Sequence, residues 1–256
     1  MSNSSPQSLW FGKQRPNPGA RLRLFCFPYA GGSAAIYRQW PQQLPPTIEV
    51  LPAHLPGRQG RLRESPPTRI DPLVEGIADA IRPLLDIPYA FFGHSMGATV
   101  AYELARTLRG AGAGEPAHLF VSGRRPPHVQ STEAPTYNLP DAELIEEVRR
   151  LEGTPPEVLD HPELMQLLLP LLRADFEVIE TYSYTPGPPL TCPVTAFGGL
   201  RDAELGREQL EGWREHTTGR FAVKMFEGGH FFIHEAARPL LDTIARELSG
   251  AAAGGA

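Results

Sequence analysis

Residues 93–97 read Gly-His-Ser-Met-Gly. Before them stands an apolar run, Tyr89-Ala90-Phe91-Phe92; after them, Val100, Ala101, Leu104, Ala105 and Leu108 fall at helical spacing. A buried strand that passes into a helix through G-x-S-x-G leaves the chain little freedom. The glycines allow a sharp turn, and the turn lifts the serine hydroxyl out of the sheet. The letters alone would also fit a glycine-rich turn that caps a helix with serine. The strand before and the helix after make Ser95 a candidate nucleophile.

The strand-then-helix rhythm extends on both sides. Leu22 to Phe27 reads as a strand that runs into Pro28-Tyr29-Ala30-Gly31-Gly32-Ser33, a loop suited to tight backbone geometry. A helix-like segment from Ala34 to Trp40, a strand at Ile48 to Leu51 and a helix from Leu73 to Leu85 follow. His118 to Ser122 reads as another buried strand. From Arg124 to Pro189 the strand pattern stops, and two amphipathic helices replace it. One is Asp141 to Leu151, with Asp141 as its N-cap. The other is Pro162 to Tyr182, kinked near Pro170, with Leu164, Leu167, Leu168, Leu171 and Leu172 on one side. Strands at 193–197 and 221–226 and helices at 205–213 and 235–248 then resume the rhythm.

This alternation predicts an α/β fold: a mostly parallel central sheet with helices on both faces and an inserted helical segment. An insertion after a central strand lies over the carboxyl edge of the sheet, where such folds bind ligands. The expected organisation is a flexible tail over 1–19 (with Trp10-Phe11 docking on the body), a core over 20–123 and 190–249, a helical lid over 124–189, and a disordered tail over 250–256.

A length of 256 residues with 41% hydrophobic content suits one sizeable core. A net charge of −5 argues against nucleic acid as partner. No apolar run approaches the roughly 18 residues of a membrane span. The N-terminal stretch lacks the apolar segment of a secretory signal. Cys26 and Cys192 sit in apolar strand-like runs and are expected as buried, reduced core residues. A cytoplasmic location follows from that expectation.

A serine hydroxyl needs a base to take its proton. In an α/β-hydrolase arrangement the acid and then the histidine follow the nucleophile in the chain. Strand 193–197 runs into Gly198-Gly199-Leu200-Arg201-Asp202, and strand 221–226 into Glu227-Gly228-Gly229-His230. His230 is the expected base and Asp202 its orienting acid, with Glu204 as the local rival. The expected oxyanion donors are the backbone N–H of Met96, next after the nucleophile, and that of Ala30, in the loop after the first strand. His230 and His234 form an H-x3-H pair, but no third ligand is evident, so no metal is expected. His54, His118, His128, His161 and His216 read as ordinary loop or surface residues. The reaction class is acyl transfer, usually to water. Ester, amide and thioester all fit these roles.

Taken together, Leu24 to Ser33, Leu55-Pro56-Gly57-Arg58 with Arg61 and Glu64, Phe92 to Ala98, Ser122-Gly123-Arg124-Arg125-Pro126, Gly198-Gly199 with Asp202, and Gly228 to Phe232 resemble the type II thioesterases of polyketide and non-ribosomal peptide synthases. The resemblance covers nearly the whole chain and implies an α/β-hydrolase fold. It also implies a stand-alone hydrolase that clears stalled or wrongly primed acyl groups from the phosphopantetheine arm of an acyl or peptidyl carrier protein, with small acyl thioesters as further substrates and no cofactor. The family's triad and oxyanion positions fall on Ser95, Asp202, His230, Met96 and Ala30. Arg58, Arg61 and Arg63 are candidates for contact with the carrier protein or the arm's phosphate. For Arg58 and Arg61, which match family positions, a structural role, holding Glu64 or loop carbonyls, is the favoured reading.

Three other functions fit parts of the pattern. A carboxylesterase or lipase would keep the triad and cleave an oxygen ester. A non-catalytic partner would keep the fold and only bind carrier proteins, against which the intact triad argues. Macrocyclising chain release uses the same acyl-enzyme, commonly in domains fused to a synthase. A chain that begins with its own methionine favours the free-standing form.

Overall fold

The apolar runs become six strands of one sheet: β1 (Leu22–Phe27), β2 (Ile48–Pro52), β3 (Tyr89–His94), β4 (His118–Ser122), β5 (Val194–Gly199) and β6 (Phe221–Phe226). Their order is β2-β1-β3-β4-β5-β6, and each neighbouring pair is parallel. This is a computed structural model, and it describes residues 6–12, 17–129, 131, 134–151, 153 and 156–251.

Ten helices accompany the sheet among the described residues. They are α1 (Pro6–Phe11), α2 (Trp40–Gln43), α3 (Ile70–Ile81), α4 (Met96–Gly110), α5 (Asp141–Arg150), α6 (Pro156–Leu159), α7 (Pro162–Glu180), α8 (Arg207–Glu211), α9 (Phe232–Glu235) and α10 (Ala237–Ala251). Every residue of β3, β4 and β5 is buried. A sheet covered on both faces needs apolar side chains at odd and even positions alike, hence the unbroken apolar runs. Successive side chains go to opposite faces. Phe25, Phe91 and Val121 pack with α3 and α4, while Cys26, Phe92 and Phe120 pack with α10. Cys26 and Cys192 are buried free thiols, and burial raises Cys192 to about 12.

Several boundaries differ from the sequence expectation. Part of the expected N-terminal tail is α1, whose Trp10 and Phe11 are buried. Trp10 O accepts the His54 N–H at 2.7 Å, and the Arg61 guanidinium lies 4.3 Å from the Trp10 ring centre. The aromatic pair supplies enough apolar surface to hold so short a helix. At the other end α10 runs through Ala251, and the rest of the expected tail lies outside the described residues.

Asp141 is the first residue of α5 rather than its cap, and its carboxylate pairs with Arg173 of α7 at 2.5 Å. Helix α7 runs continuously through Pro170. Of its buried residues, Met165, Leu169 and Leu172 join Leu144, Val148 and Leu159 in a small core of their own, while Val178 packs into the main core. Leu164 and Leu167 are exposed, so the leucine stripe expected to include them is turned toward solvent there. No helix among the described residues is long and apolar enough to cross a membrane.

Candidate active site

Four adjacent strands end side by side at the carboxyl edge of the sheet, and each passes into a loop that carries a polar residue of the site. Ser95 follows β3, Arg124 follows β4, Asp202 follows β5 and His230 follows β6.

Ser95 has φ +52 and ψ −116. A side chain in this region is strained, and the strain holds the residue at the apex of the turn. The flanking glycines are there because the turn is too tight for a Cβ. One at Gly93 would lie 2.0 Å from Gly97 O, and one at Gly97 would lie 2.0 Å from Phe27 O. The Ser95 N–H donates to Ser122 O at 2.7 Å, which ties the turn to β4.

His230 Nδ1 lies 2.9 Å from Asp202 Oδ2. Burial pushes the Asp202 carboxyl up, but the His230 hydrogen bond and charge and the N–H groups of Glu204 and Leu205 outweigh it, so the group sits below the usual carboxylate range. An ionised carboxylate only accepts, so Nδ1 carries a proton, and in the neutral ring Nε2 is then the nitrogen with the lone pair. The rival acid is engaged elsewhere: Glu204 accepts from Arg150 Nη1 at 2.6 Å, and its own N–H donates to Asp202 Oδ1 at 3.0 Å.

Ser95, Met96, Ala30 and His230 line one cavity of about 370 Å³, between the sheet edge and helices α5 and α7. Met96 opens α4, so its N–H has no acceptor within the helix. Among the described residues the Ala30 N–H has no acceptor either. Two free donors beside a serine and an imidazole can stabilise an oxyanion formed at that serine.

The Ala30 loop is held by a residue that sequence reasoning missed. Asp175 of α7 accepts the Gly31 N–H at 2.7 Å and both terminal nitrogens of Arg58, at 2.8 and 2.7 Å. Arg58 Nη1 also donates to Gly32 O at 2.8 Å. The signal was an acidic residue three positions after Leu172, on the apolar side of α7.

The structure also corrects the contact role weighed for Arg58 and Arg61. Both are buried, with guanidinium groups committed to the protein itself. Arg61 donates to both Glu64 oxygens, at 2.8 and 2.5 Å, and to His54 O at 2.8 Å. Arg63 is exposed.

His94 is fully buried beneath the turn, with Nδ1 2.8 Å from Ser122 Oγ. Burial first, then the charges of His230 and His234, hold it well below the usual imidazole value. His118 and His216 are also buried, contrary to the surface expectation. Each found a polar partner inside: Thr195 Oγ1 at 2.9 Å from His118, and the Tyr102 hydroxyl at 2.9 Å from His216. His234 Nε2 lies 3.1 Å from the Tyr29 hydroxyl.

A family model described as a thioesterase domain matches residues 22–249. The chain is 44% identical over 248 residues to the gramicidin S biosynthesis protein GrsT of Aneurinibacillus migulanus, covering 97% of each. Among solved structures it is similar to RedJ, the thioesterase from the prodiginine pathway of Streptomyces coelicolor. That match has a TM-score of 0.85 and 41% identity, and covers 94% of this chain and 93% of RedJ. It is likewise similar to BorB, the type II thioesterase of the borrelidin cluster, with a TM-score of 0.86 and 40% identity, covering 97% of this chain and all of BorB.

Proposed function

The chain belongs to the type II thioesterases of the α/β-hydrolase superfamily, and on that premise we propose that it is a free-standing editing enzyme that hydrolyses acyl groups from the phosphopantetheine arm of carrier proteins. The observation that carries this reading is the pairing of His230 with Asp202 in the same cavity as a strained Ser95.

In the proposed reaction, Ser95 Oγ attacks the thioester carbonyl while His230 Nε2 takes its proton. The carbonyl oxygen becomes an oxyanion, held by the N–H groups of Met96 and Ala30. The C–S bond breaks, the arm leaves as thiolate, and His230 returns the proton to it. A thiol with an ordinary pKa near 8.5 leaves with little acid help. Water then attacks the acyl-serine, His230 takes the water proton, and the acid leaves as Ser95 recovers its hydrogen. Asp202 keeps the ring in one tautomer throughout. Segment 124–189, with α5 to α7, acts as the lid that shields the acyl-serine. The buried free thiols of Cys26 and Cys192 fit a reducing, cytoplasmic setting for the enzyme. Arg63 remains the exposed arginine of its loop and meets the acidic carrier protein.

The test is chemical trapping. A propionyl thioester mixed with the Asp202→Asn variant should leave an acyl group on the peptide that contains Ser95. Acylation elsewhere, or none with the wild-type protein in rapid quench, contradicts the mechanism.

A further inference from the structure

The β4 loop contributes two consecutive arginines to the cavity, and the proposed reaction uses neither. Arg124 and Arg125 both line the cavity that Ser95 and His230 line. Among the described residues neither side chain has a hydrogen bond or an ion pair. The other arginines without such a partner among the described residues, Arg21, Arg38, Arg63 and Arg82, are exposed, whereas Arg124 and Arg125 are half-buried.

Carboxylates are present in the same wall, but each is already engaged. Glu147 and Glu204 share Arg150, at 2.9 and 2.6 Å. Glu180 accepts from the Thr136 N–H and hydroxyl and from the Tyr137 N–H. The position of Arg124 is fixed from both sides. Its carbonyl accepts from Trp213 Nε1 at 2.8 Å, and the Gly123 N–H before it donates to Phe197 O at 2.9 Å.

Arg124 is partly accessible and lines the cavity. Burial, and then the neighbouring charge of Arg125, pull its guanidinium down to about 10. The Glu180 charge offsets this only in part; two adjacent cations disfavour one another, and an anion placed between them relieves that.

We propose that Arg124 and Arg125 are an anion-holding pair that receives a carboxylate or phosphate carried by the thioester substrate. This inference rests on the thioesterase reading and deepens it, because it assigns the substrate a second polar anchor besides the reacting carbonyl. Two parts of a substrate carry the required chemistry: a free carboxylate on the acyl unit, and the phosphate of the arm. The pair lies one strand away from the nucleophile and begins two residues beyond the Ser122 carbonyl that accepts the Ser95 N–H.

Three thioesters separate the sources. Propionyl-N-acetylcysteamine carries neither anion, methylmalonyl-N-acetylcysteamine carries a carboxylate, and propionyl-phosphopantetheine carries a phosphate. We expect Arg124→Gln and Arg125→Gln to lose about 10- to 100-fold more kcat/KM on one of the anionic substrates than on the neutral one. The substrate that shows the excess identifies the anion. Arg124→Lys should restore part of the difference, because it returns the charge without the fork. Equal losses on all three substrates overturn the proposal. Calorimetry on Ser95→Ala measures the same contrast without turnover, using pantetheine, phosphopantetheine and methylmalonate. There the loss of one arginine should weaken binding of an anionic ligand selectively. A wild-type protein that cleaves none of the thioesters contradicts the thioesterase reading instead, and the calorimetry still decides the anion pair.

Discussion

Arg58 and Asp175, 117 residues apart in the chain, meet in a buried pair of hydrogen bonds of 2.7 and 2.8 Å. Asp175 lies on α7 of the inserted segment, and the same carboxylate accepts the Gly31 N–H next to Ala30. The insertion thus reaches down to the loop that carries one expected oxyanion donor.

Breaking this pair should therefore affect both stability and turnover. Arg58→Met leaves a buried carboxylate unpaired, which costs about 3–5 kcal/mol. The double variant Arg58→Met/Asp175→Leu should regain most of that stability, yet its kcat should stay low because Gly31 has lost its anchor. Thermal melts with steady-state kinetics check this. A double variant with wild-type kcat would show that the anchor does not position the loop.

The glycines of the serine turn allow a sharper contrast. Gly97→Ala and Gly93→Ala push a methyl into backbone at 2.0 Å, where no side chain can yield. Each should cost about 3 kcal/mol or more. Gly60→Ala, with nothing within 4 Å, should stay within about 0.5 kcal/mol. Denaturant melts of the three variants measure the difference.

Asp202 makes the site sensitive to acid. Its folded-state value is depressed, so its contribution to stability is complete above the ordinary carboxylate range and is lost as pH falls through the lower folded value. Asp202→Asn should flatten the stability profile in that acid window. It should also lower kcat by about 10³- to 10⁴-fold by releasing the His230 tautomer. Urea melts across pH, together with turnover at neutral pH, test both parts.

His118 acts in a neighbouring window. Burial, followed by the charge of Arg220, lowers it to about 3, whereas an unfolded histidine titrates near 6.5. Its contribution is present above about pH 6.5 and declines as pH falls from there toward 3. His118→Gln should remove part of the stability loss between about pH 6 and 4. A variant whose melts fall as steeply as the wild type over that range would contradict the assignment.

The parts of the site that were legible in the sequence are those made by local geometry. Gly93, Ser95 and Gly97 are dictated by one turn, and Asp202 and His230 each follow a strand within a few residues. The Arg58–Asp175 pair was not legible, because neither residue bears on the other until the insertion packs on the sheet. Helix α1 escaped for a similar reason: six residues do not hold a helix alone, and it forms because Trp10 and Phe11 find a groove. On α7 the leucine stripe was right in part: Leu171 and Leu172 are buried with Met165 and Leu169, whereas Leu164 and Leu167 face solvent.

The measurement that bears most directly on the central claim is intact-mass detection of acyl loss from a propionyl-loaded carrier protein. The wild type is compared with Ser95→Ala and with a matched propionyl oxygen ester. The account predicts acyl loss that requires Ser95 and outruns cleavage of the oxygen ester. A carrier protein left fully loaded while the oxygen ester is cleaved rapidly would contradict it and point to an esterase.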